Sequence, residues 1–125
     1  FQHMKNNNYS YAYIRRKIDT HELTKKTFVP FCFNYFKKDL KPMENFYNNF
    51  FITKTDFWNK KDIQKFLNEV IHQNGIVEYR WGDSNIQAVC VKNWLQRYEI
   101  LCIENIKYIH ASHSYNNFDN VNHEW

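Results

Sequence analysis

Apolar residues recur at intervals of three and four between residues 56 and 74, which is the clearest periodic pattern in the chain. Asp56 is placed to cap a helix. The apolar side chains that follow fall on one helical face: Ile63, Phe66, Leu67, Val70 and Ile71. Gly75 follows Asn74 and suits a left-handed helix end. The pattern therefore predicts one amphipathic helix over residues 56–74 that buries this face.

Short segments rich in β-branched and aromatic residues predict strands at residues 11–18, 49–53, 76–79 and 100–103. Pro30 interrupts an apolar helical pattern, which favours a short helix beginning at that residue. Asp83 or Ser84 is placed to cap a further helix, whose apolar residues are Ile86, Val89, Cys90 and Trp94. The alternation predicts a mixed α/β domain with functional groups in the loops that follow strands.

The composition excludes several classes of protein. With 43% hydrophobic and 24% charged residues, the chain is expected to be globular rather than disordered. No apolar run approaches the roughly 20 residues of a membrane-spanning helix, so no membrane span is predicted. Three cysteines without a Cys-x-x-Cys spacing favour buried thiols over a disulfide framework or zinc knuckle. A net charge of +4 leaves a basic nucleic-acid binder as one alternative, but no recognition motif supports it and no nucleic-acid partner is expected.

The run from residue 78 to residue 83 concentrates chemistry between a predicted strand and a predicted helix. Glu78, Arg80, Trp81 and Asp83 surround one glycine there. The tryptophan offers a flat ring to a sugar, and the carboxylates accept hydrogen bonds from hydroxyl groups. The residues alone favour a structural interpretation over this one: Asp83 as a helix cap, Arg80 in a surface ion pair and Trp81 in the core.

A second polar element follows the last predicted strand and ends at His110. A lone histidine in this place is more often a hydrogen-bonded core or surface residue than a metal ligand. His113 lies three residues further on, but no third ligand stands at a spacing typical of zinc. The residues alone leave both interpretations open.

Together the two elements resemble the fungal α-1,2-mannosyltransferases of glycosyltransferase family 15. The family sequence Gly-Gly-Phe-Tyr-Tyr-Glu-Arg-Trp-Gly-Asp is matched by Asn-Gly-Ile-Val-Glu-Tyr-Arg-Trp-Gly-Asp at residues 74–83. Its closing Asp-Ile-Gly-Tyr-x-His-Pro-Pro is matched by Asn-Ile-Lys-Tyr-Ile-His-Ala-Ser at residues 105–112. Weaker matches occur in the same order upstream, at residues 1–8, 11–14, 46–52 and 56–58. The resemblance covers residues 1–113.

The resemblance implies the mixed-sheet, C-terminal part of a glycosyltransferase A-type fold, an α/β fold. It also implies retaining transfer of mannose from GDP-mannose to a mannoside or glycoprotein acceptor in the Golgi, with Mn²⁺ as cofactor. His110 would then be the metal ligand, and Asp83 would be the catalytic residue that faces the acceptor hydroxyl. Tyr47 and Trp81 would line the acceptor groove, with Glu78 and Arg80 as further substrate-binding residues.

Two departures from the family pattern bear on activity. Phe51 stands where the family has a glutamate, and Ala111 and Ser112 replace two prolines after the histidine. The nucleotide-binding half and its acidic metal motif have no counterpart in this chain. We therefore expect residues 1–113 to form the C-terminal half of a glycosyltransferase-like domain that is not catalytic by itself, with a polar tail at residues 114–125. The alternative is a non-catalytic structural or interaction subunit, with a protein partner that supplies or replaces the missing half.

Overall fold

A computed structural model describes residues 1–104 and residue 106. In these residues the chain forms the following elements, in order: α1 (Gln2–Asn6), β1 (Tyr11–Tyr13), β2 (Arg16–Ile18), α2 (Glu22–Phe36), β3 (Glu44–Phe46), β4 (Phe51–Thr53), α3 (Thr55–Trp58), α4 (Lys61–His72), α5 (Gly75–Glu78), α6 (Asp83–Trp94), a 3-10 turn (Arg97–Glu99) and β5 (Ile100–Cys102). Strands and helices are interleaved, which confirms the predicted mixed α/β class. No helix in this part of the chain has the length and apolarity to cross a lipid bilayer.

The central strand is β1, which lies between β4 and β5 in a three-stranded sheet. It is antiparallel to β4 and parallel to β5, so the sheet is mixed as predicted. Strands β2 and β3 form a separate antiparallel pair. The single strand expected over residues 11–18 is therefore two strands in different sheets, because the chain bends between Tyr13 and Arg16.

Helix α2 runs through Pro30, so the short helix predicted to begin there is wrong. Proline lacks the N–H that would bond to the carbonyl oxygen of Lys26, four residues earlier. Both residues are exposed, so water can solvate that oxygen. The buried face of α2, which includes Phe28 and Cys32, then stabilises the helix on both sides of the proline.

The helix expected over residues 56–74 is two helices, α3 and α4. They separate at Asn59 and Lys60, where Gln64 Nε2 donates a hydrogen bond of 2.7 Å to the carbonyl oxygen of Trp58. On α4 the predicted face is confirmed at three buried residues, Ile63, Phe66 and Val70, and Leu67 packs partly against the core. Ile71 is 66% exposed, so its predicted burial is wrong.

The strand predicted over residues 76–79 is also wrong, since this segment forms the short helix α5. Asn74, and not Gly75, takes the left-handed conformation that ends α4, with φ of 55°. Its side-chain amide donates to Glu78 Oε1 at 3.0 Å, across the new turn. Ile76 is 50% exposed and Val77 is 80% exposed, so this apolar pair does not enter the core.

Candidate functional site

Trp81 lies in the core and is only 4% exposed. Its ring stacks on Phe31 with centroids 4.7 Å apart and contacts Phe28 at 5.1 Å. Its Nε1–H donates to Thr27 Oγ1 at 2.8 Å, which satisfies the only polar atom of the indole. The structure thus places the ring inside the domain, where it presents no open face to a sugar. There it supports the corner, by which we mean the turn at residues 79–82 together with Asp83 and the side chains that surround its carboxylate.

A tight chain reversal between α5 and α6 brings Trp81 onto Gly75. The Trp81 backbone N–H donates to the Gly75 carbonyl at 3.1 Å, and a Cβ on Gly75 would lie 2.2 Å from the indole ring. Arg80 adopts a left-handed conformation, with φ of 58°, and its carbonyl accepts from the buried Thr24 hydroxyl at 3.1 Å. The reversal carries the chain into the start of α6, and therefore into Asp83.

Asp83 is the first residue of α6, and the N-cap is Gly82. The N-cap role predicted for Asp83 or Ser84 is therefore wrong. Asp83 is exposed, and Asn48 Nδ2 donates to its Oδ2 at 2.6 Å. Its Oδ1 accepts from the Ser84 backbone N–H at 2.9 Å. The carboxylate is thus fixed at a helix N-terminus, where negative charge is favourable, and it still reaches solvent.

A second pair of side chains lies beside this carboxylate. The hydroxyl of Tyr11, on the central strand, donates to Gln87 Oε1 on α6 at 3.1 Å. The pKa of Tyr11 is raised mainly by burial, and the negative charge of Asp83 raises it further. The phenol therefore stays protonated and remains a donor at neutral pH.

Helix α6 also fixes the segment that leads to Asn48. Lys92 Nζ, near the end of the helix, donates to three backbone carbonyls, those of Leu40, Lys41 and Glu44. Asn85, near its start, donates to the Pro42 carbonyl at 3.0 Å. Since this segment continues through β3 into Tyr47 and Asn48, the helix that begins with Asp83 also positions the residues opposite it.

The remaining predicted substrate-binding residues lie at different depths. Tyr47 is 2% exposed, and its backbone N–H donates to the Arg15 carbonyl at 2.9 Å. Glu78 and Arg80 are exposed near the chain reversal, with Glu78 bonded to Asn74. The structure brings Asn48, next to Tyr47, onto Asp83, whereas it directs Trp81 into the core.

Phe51 lies near this corner, and its ring packs against other aromatic side chains. It sits on β4, opposite Tyr13 of β1, and its ring stacks on Tyr11 with centroids 5.7 Å apart and planes at 18°. The position that carries a glutamate in the resembled family is therefore filled here by a half-buried ring packed against the core.

His110, the predicted metal ligand, lies outside the described residues. Across residues 1–104 and 106, no group of three histidine, cysteine, aspartate or glutamate side chains is arranged to hold a metal. Cys32 and Cys90 are buried thiols whose pKa values burial raises, as expected of inert thiols, whereas Cys102 is only half-buried, so the burial predicted for it is wrong.

Sequence reasoning missed Asn48 and Gln87 as members of the corner. The hydrogen bond from Asn48 to Asp83 spans 35 residues, and the bond between Tyr11 and Gln87 spans 76. The signal available was local: Gln87 lies four residues after Asp83 and so shares its helical face. Nothing in the sequence indicated Asn48.

Comparison with known proteins gives one family. The model of the family described as "Glycolipid 2-alpha-mannosyltransferase" matches residues 33–123. Among curated proteins, the chain is 33% identical over 67 residues to the "Probable mannosyltransferase MNT3" of Candida albicans, a match that covers 54% of this chain and 18% of that protein. It is 26% identical over 68 residues to the "O-glycoside alpha-1,2-mannosyltransferase homolog 5" of Schizosaccharomyces pombe, which covers 54% of this chain and 16% of that protein.

A solved structure shares the fold. The X-ray structure of the mannosyltransferase Ktr4p from Saccharomyces cerevisiae in complex with GDP superposes with a TM-score of 0.72 at 19% sequence identity. The match covers 89% of this chain and 35% of that one. The chain therefore corresponds to about a third of the solved chain, and its matched part to less than a fifth of each curated relative.

Proposed function

Because the chain belongs to the glycolipid 2-alpha-mannosyltransferase family, as the sequence resemblance predicted, we propose that it forms the acceptor side of a mannosyltransferase. The mixed α/β fold that it shares with a mannosyltransferase confirms the predicted fold class. In this proposal the complete protein transfers mannose from GDP-mannose to a mannoside or glycoprotein acceptor in the Golgi, and residues outside this chain bind the nucleotide. The GDP in the solved relative supports a nucleotide-sugar donor.

The observation that carries the proposal is the fixed and exposed carboxylate of Asp83. In transfer, a bond forms between an acceptor hydroxyl oxygen and the anomeric carbon of mannose, the bond from that carbon to the diphosphate oxygen breaks, and the hydroxyl proton passes to the Asp83 carboxylate. Asp83 would accept a hydrogen bond from that hydroxyl and orient its oxygen. Asn48 holds one carboxylate oxygen and the Ser84 N–H holds the other, and each oxygen keeps a lone pair for a substrate.

Tyr47 and Trp81 support the Asp83 site through the backbone and the core packing around it. Tyr47 precedes Asn48 on the segment that α6 fixes, and Trp81 fills the core beneath the turn that leads to Asp83. Glu78 and Arg80 lie on the exposed side of that turn, where a larger acceptor would extend.

Mn²⁺ with His110 as ligand belongs to the same proposal. Imidazole suits Mn²⁺, and the ion would neutralise charge on the departing diphosphate. The part of the chain that the structure describes holds no cluster of ligands, so further ligands would come from elsewhere in the protein. Mn²⁺ titration of the full-length protein and of His110→Ala tests this: weaker binding in the variant is expected, and equal affinity would remove His110 from the site.

The proposed function is tested by mannose transfer to methyl α-mannoside, catalysed by the full-length protein and by Asp83→Asn. Loss of a group that orients or deprotonates the acceptor is expected to lower kcat by about 100-fold or more. The matched control is Asp62→Asn, an exposed aspartate in the first turn of α4, which should leave transfer unchanged. Equal rates in wild type and Asp83→Asn would refute the assignment.

A non-catalytic role is the second candidate, and the stacked ring of Phe51 favours it. A phenyl group offers no lone pair or charge to a developing cation, so a reaction that needs a carboxylate at this position would not proceed. The candidate predicts that the full-length wild type binds mannoside but transfers no mannose. Measurable transfer by the wild type would exclude it.

A further inference from the structure

Gln87 lies one helical turn after Asp83 on α6, so the two side chains project from the same face. Asp83 is exposed and Gln87 is half-buried at the edge of the core. The charge of Asp83 acts on the Tyr11 hydroxyl, which is itself bonded to Gln87. The three groups therefore share one corner, with the carboxylate on its solvent side.

Tyr11 determines how the Gln87 amide is oriented. The Tyr11 side chain is fully buried, and its hydroxyl has Gln87 as its partner at 3.1 Å among the described residues. If the hydroxyl accepted from Nε2, its own hydrogen would be left buried without an acceptor, which is costly. The hydroxyl therefore donates to Oε1. No residue in the described part of the chain accepts a hydrogen bond from Nε2, which leaves its two N–H groups for another partner.

We propose that Gln87 is a second substrate-contacting residue, whose Nε2 donates a hydrogen bond to an acceptor-sugar oxygen next to the hydroxyl that Asp83 orients. Tyr11 is its positioning residue. A sugar presents neighbouring hydroxyls that each donate and accept, so an acceptor and a donor one turn apart on a helix suit two of them. This inference rests on the proposed function, because it takes the sugar bound at Asp83 as its ligand.

The test is the steady-state kinetics of the full-length protein with GDP-mannose and varied methyl α-mannoside. Gln87→Glu keeps an oxygen for Tyr11 and removes the N–H donor. Gln87→Leu removes both without adding charge. We expect the KM for mannoside to rise about 3- to 10-fold in each variant, the size of one hydrogen bond between neutral groups, with kcat within about 2-fold. The matched control is Gln64→Leu, since Gln64 lies on α4 and bonds to the Trp58 carbonyl.

Tyr11→Phe separates positioning from a structural role. The variant keeps the ring packing but frees the amide to rotate, so the KM should rise by a smaller factor, about 2-fold. Gln87→Ala should then raise the KM by a smaller factor in the Tyr11→Phe background than in the wild-type background, and equal factors in the two backgrounds would contradict positioning by Tyr11. A Tm of Tyr11→Phe equal to that of wild type, together with a raised KM, supports positioning. A lowered Tm with an unchanged KM contradicts it.

The outcomes keep the two proposals apart. If Asp83→Asn abolishes transfer but neither Gln87 variant changes its kinetics, this inference is overturned and the proposed function stands. Transfer that survives in Asp83→Asn would overturn the proposed function itself. If the wild type transfers no mannose, the same variants are compared by NMR titration with methyl α-mannoside. Binding equally tight in wild type and Gln87→Glu, or no binding to wild type, overturns the inference.

Discussion

Replacing Gly75 by alanine probes the packing that supports the corner. The new Cβ would lie 2.2 Å from Cδ2 and Cε3 of Trp81, whereas unstrained carbon contacts are about 3.5–4.0 Å. The indole would have to move by more than about 1 Å. It is held by the stack on Phe31 and by the 2.8 Å hydrogen bond to Thr27. Gly75 does not take a left-handed conformation, so the cost is steric and not conformational.

The magnitude follows from these contacts. Overpacking in a core costs about 1–3 kcal/mol. Loss of the hydrogen bond between Trp81 and Thr27 adds about 1 kcal/mol. Better helix propensity of alanine offsets at most about 1 kcal/mol. We expect Gly75→Ala to lower the free energy of unfolding by about 2–3 kcal/mol, a fall in Tm of roughly 10 °C for a domain of this size.

The assay is thermal or urea unfolding of the full chain, with Gly82→Ala as the matched control. At Gly82 the nearest contact of a new Cβ would be Asn85 Oδ1 at 3.2 Å, so a cost below about 1 kcal/mol is expected. Gly75→Ala should also cost less in a Trp81→Leu background, since the clash is removed. An unchanged or raised Tm in Gly75→Ala would refute the packing argument.

Two further predictions concern buried polar groups. Thr27→Val removes the acceptor of the buried Trp81 N–H and should lower the free energy of unfolding by about 1–3 kcal/mol. Thr27→Ser keeps a hydroxyl and should cost less. Equal Tm values for wild type and Thr27→Val would contradict this. Burial lowers the pKa of Lys92 to about 7, below the roughly 10.4 of an unfolded lysine, so above pH 7 the unfolded state binds more protons at this group and stability should rise from pH 7 to about pH 8. This rise should be absent in Lys92→Met, and the same slope in both proteins would refute it. The thiols of Cys32, Cys90 and Cys102 oppose the rise increasingly as the pH approaches about 8.5, because unfolded thiols ionise there whereas burial raises their pKa values in the folded protein.

The sequence was most informative where a signal is local. The periodic apolar face of α4 and the helix that begins near residue 83 follow from spacing within one element. The strand at Ile100–Cys102 follows from a short apolar run bounded by polar residues. Such signals depend on neighbours a few residues away, which the sequence displays directly.

The missed features depend on partners that are distant in sequence. The split of residues 11–18 arises because β1 pairs with β4 and β5, whereas β2 pairs with β3. The strand predicted at residues 76–79 is wrong although its residues favour strands, since no strand of residues 1–104 pairs with this segment. Trp81 illustrates the limit for the site: the sequence offered both a sugar-stacking ring and a core ring, and only the surrounding Phe28, Phe31 and Thr27 decide for the core.

The central claim is that an acceptor sugar binds at Asp83, and the side-chain amides of Asn48 and Gln87 are its most direct reporters. Their ¹⁵N-labelled NH₂ signals would be followed by NMR as methyl α-mannoside is titrated into the full-length protein. The account predicts that both signals shift with one dissociation constant, that the signal of Gln64 on α4 stays fixed, and that the shifts are lost in Asp83→Asn. Saturable sugar binding that leaves both amides unmoved, or the same shifts in Asp83→Asn, would contradict it.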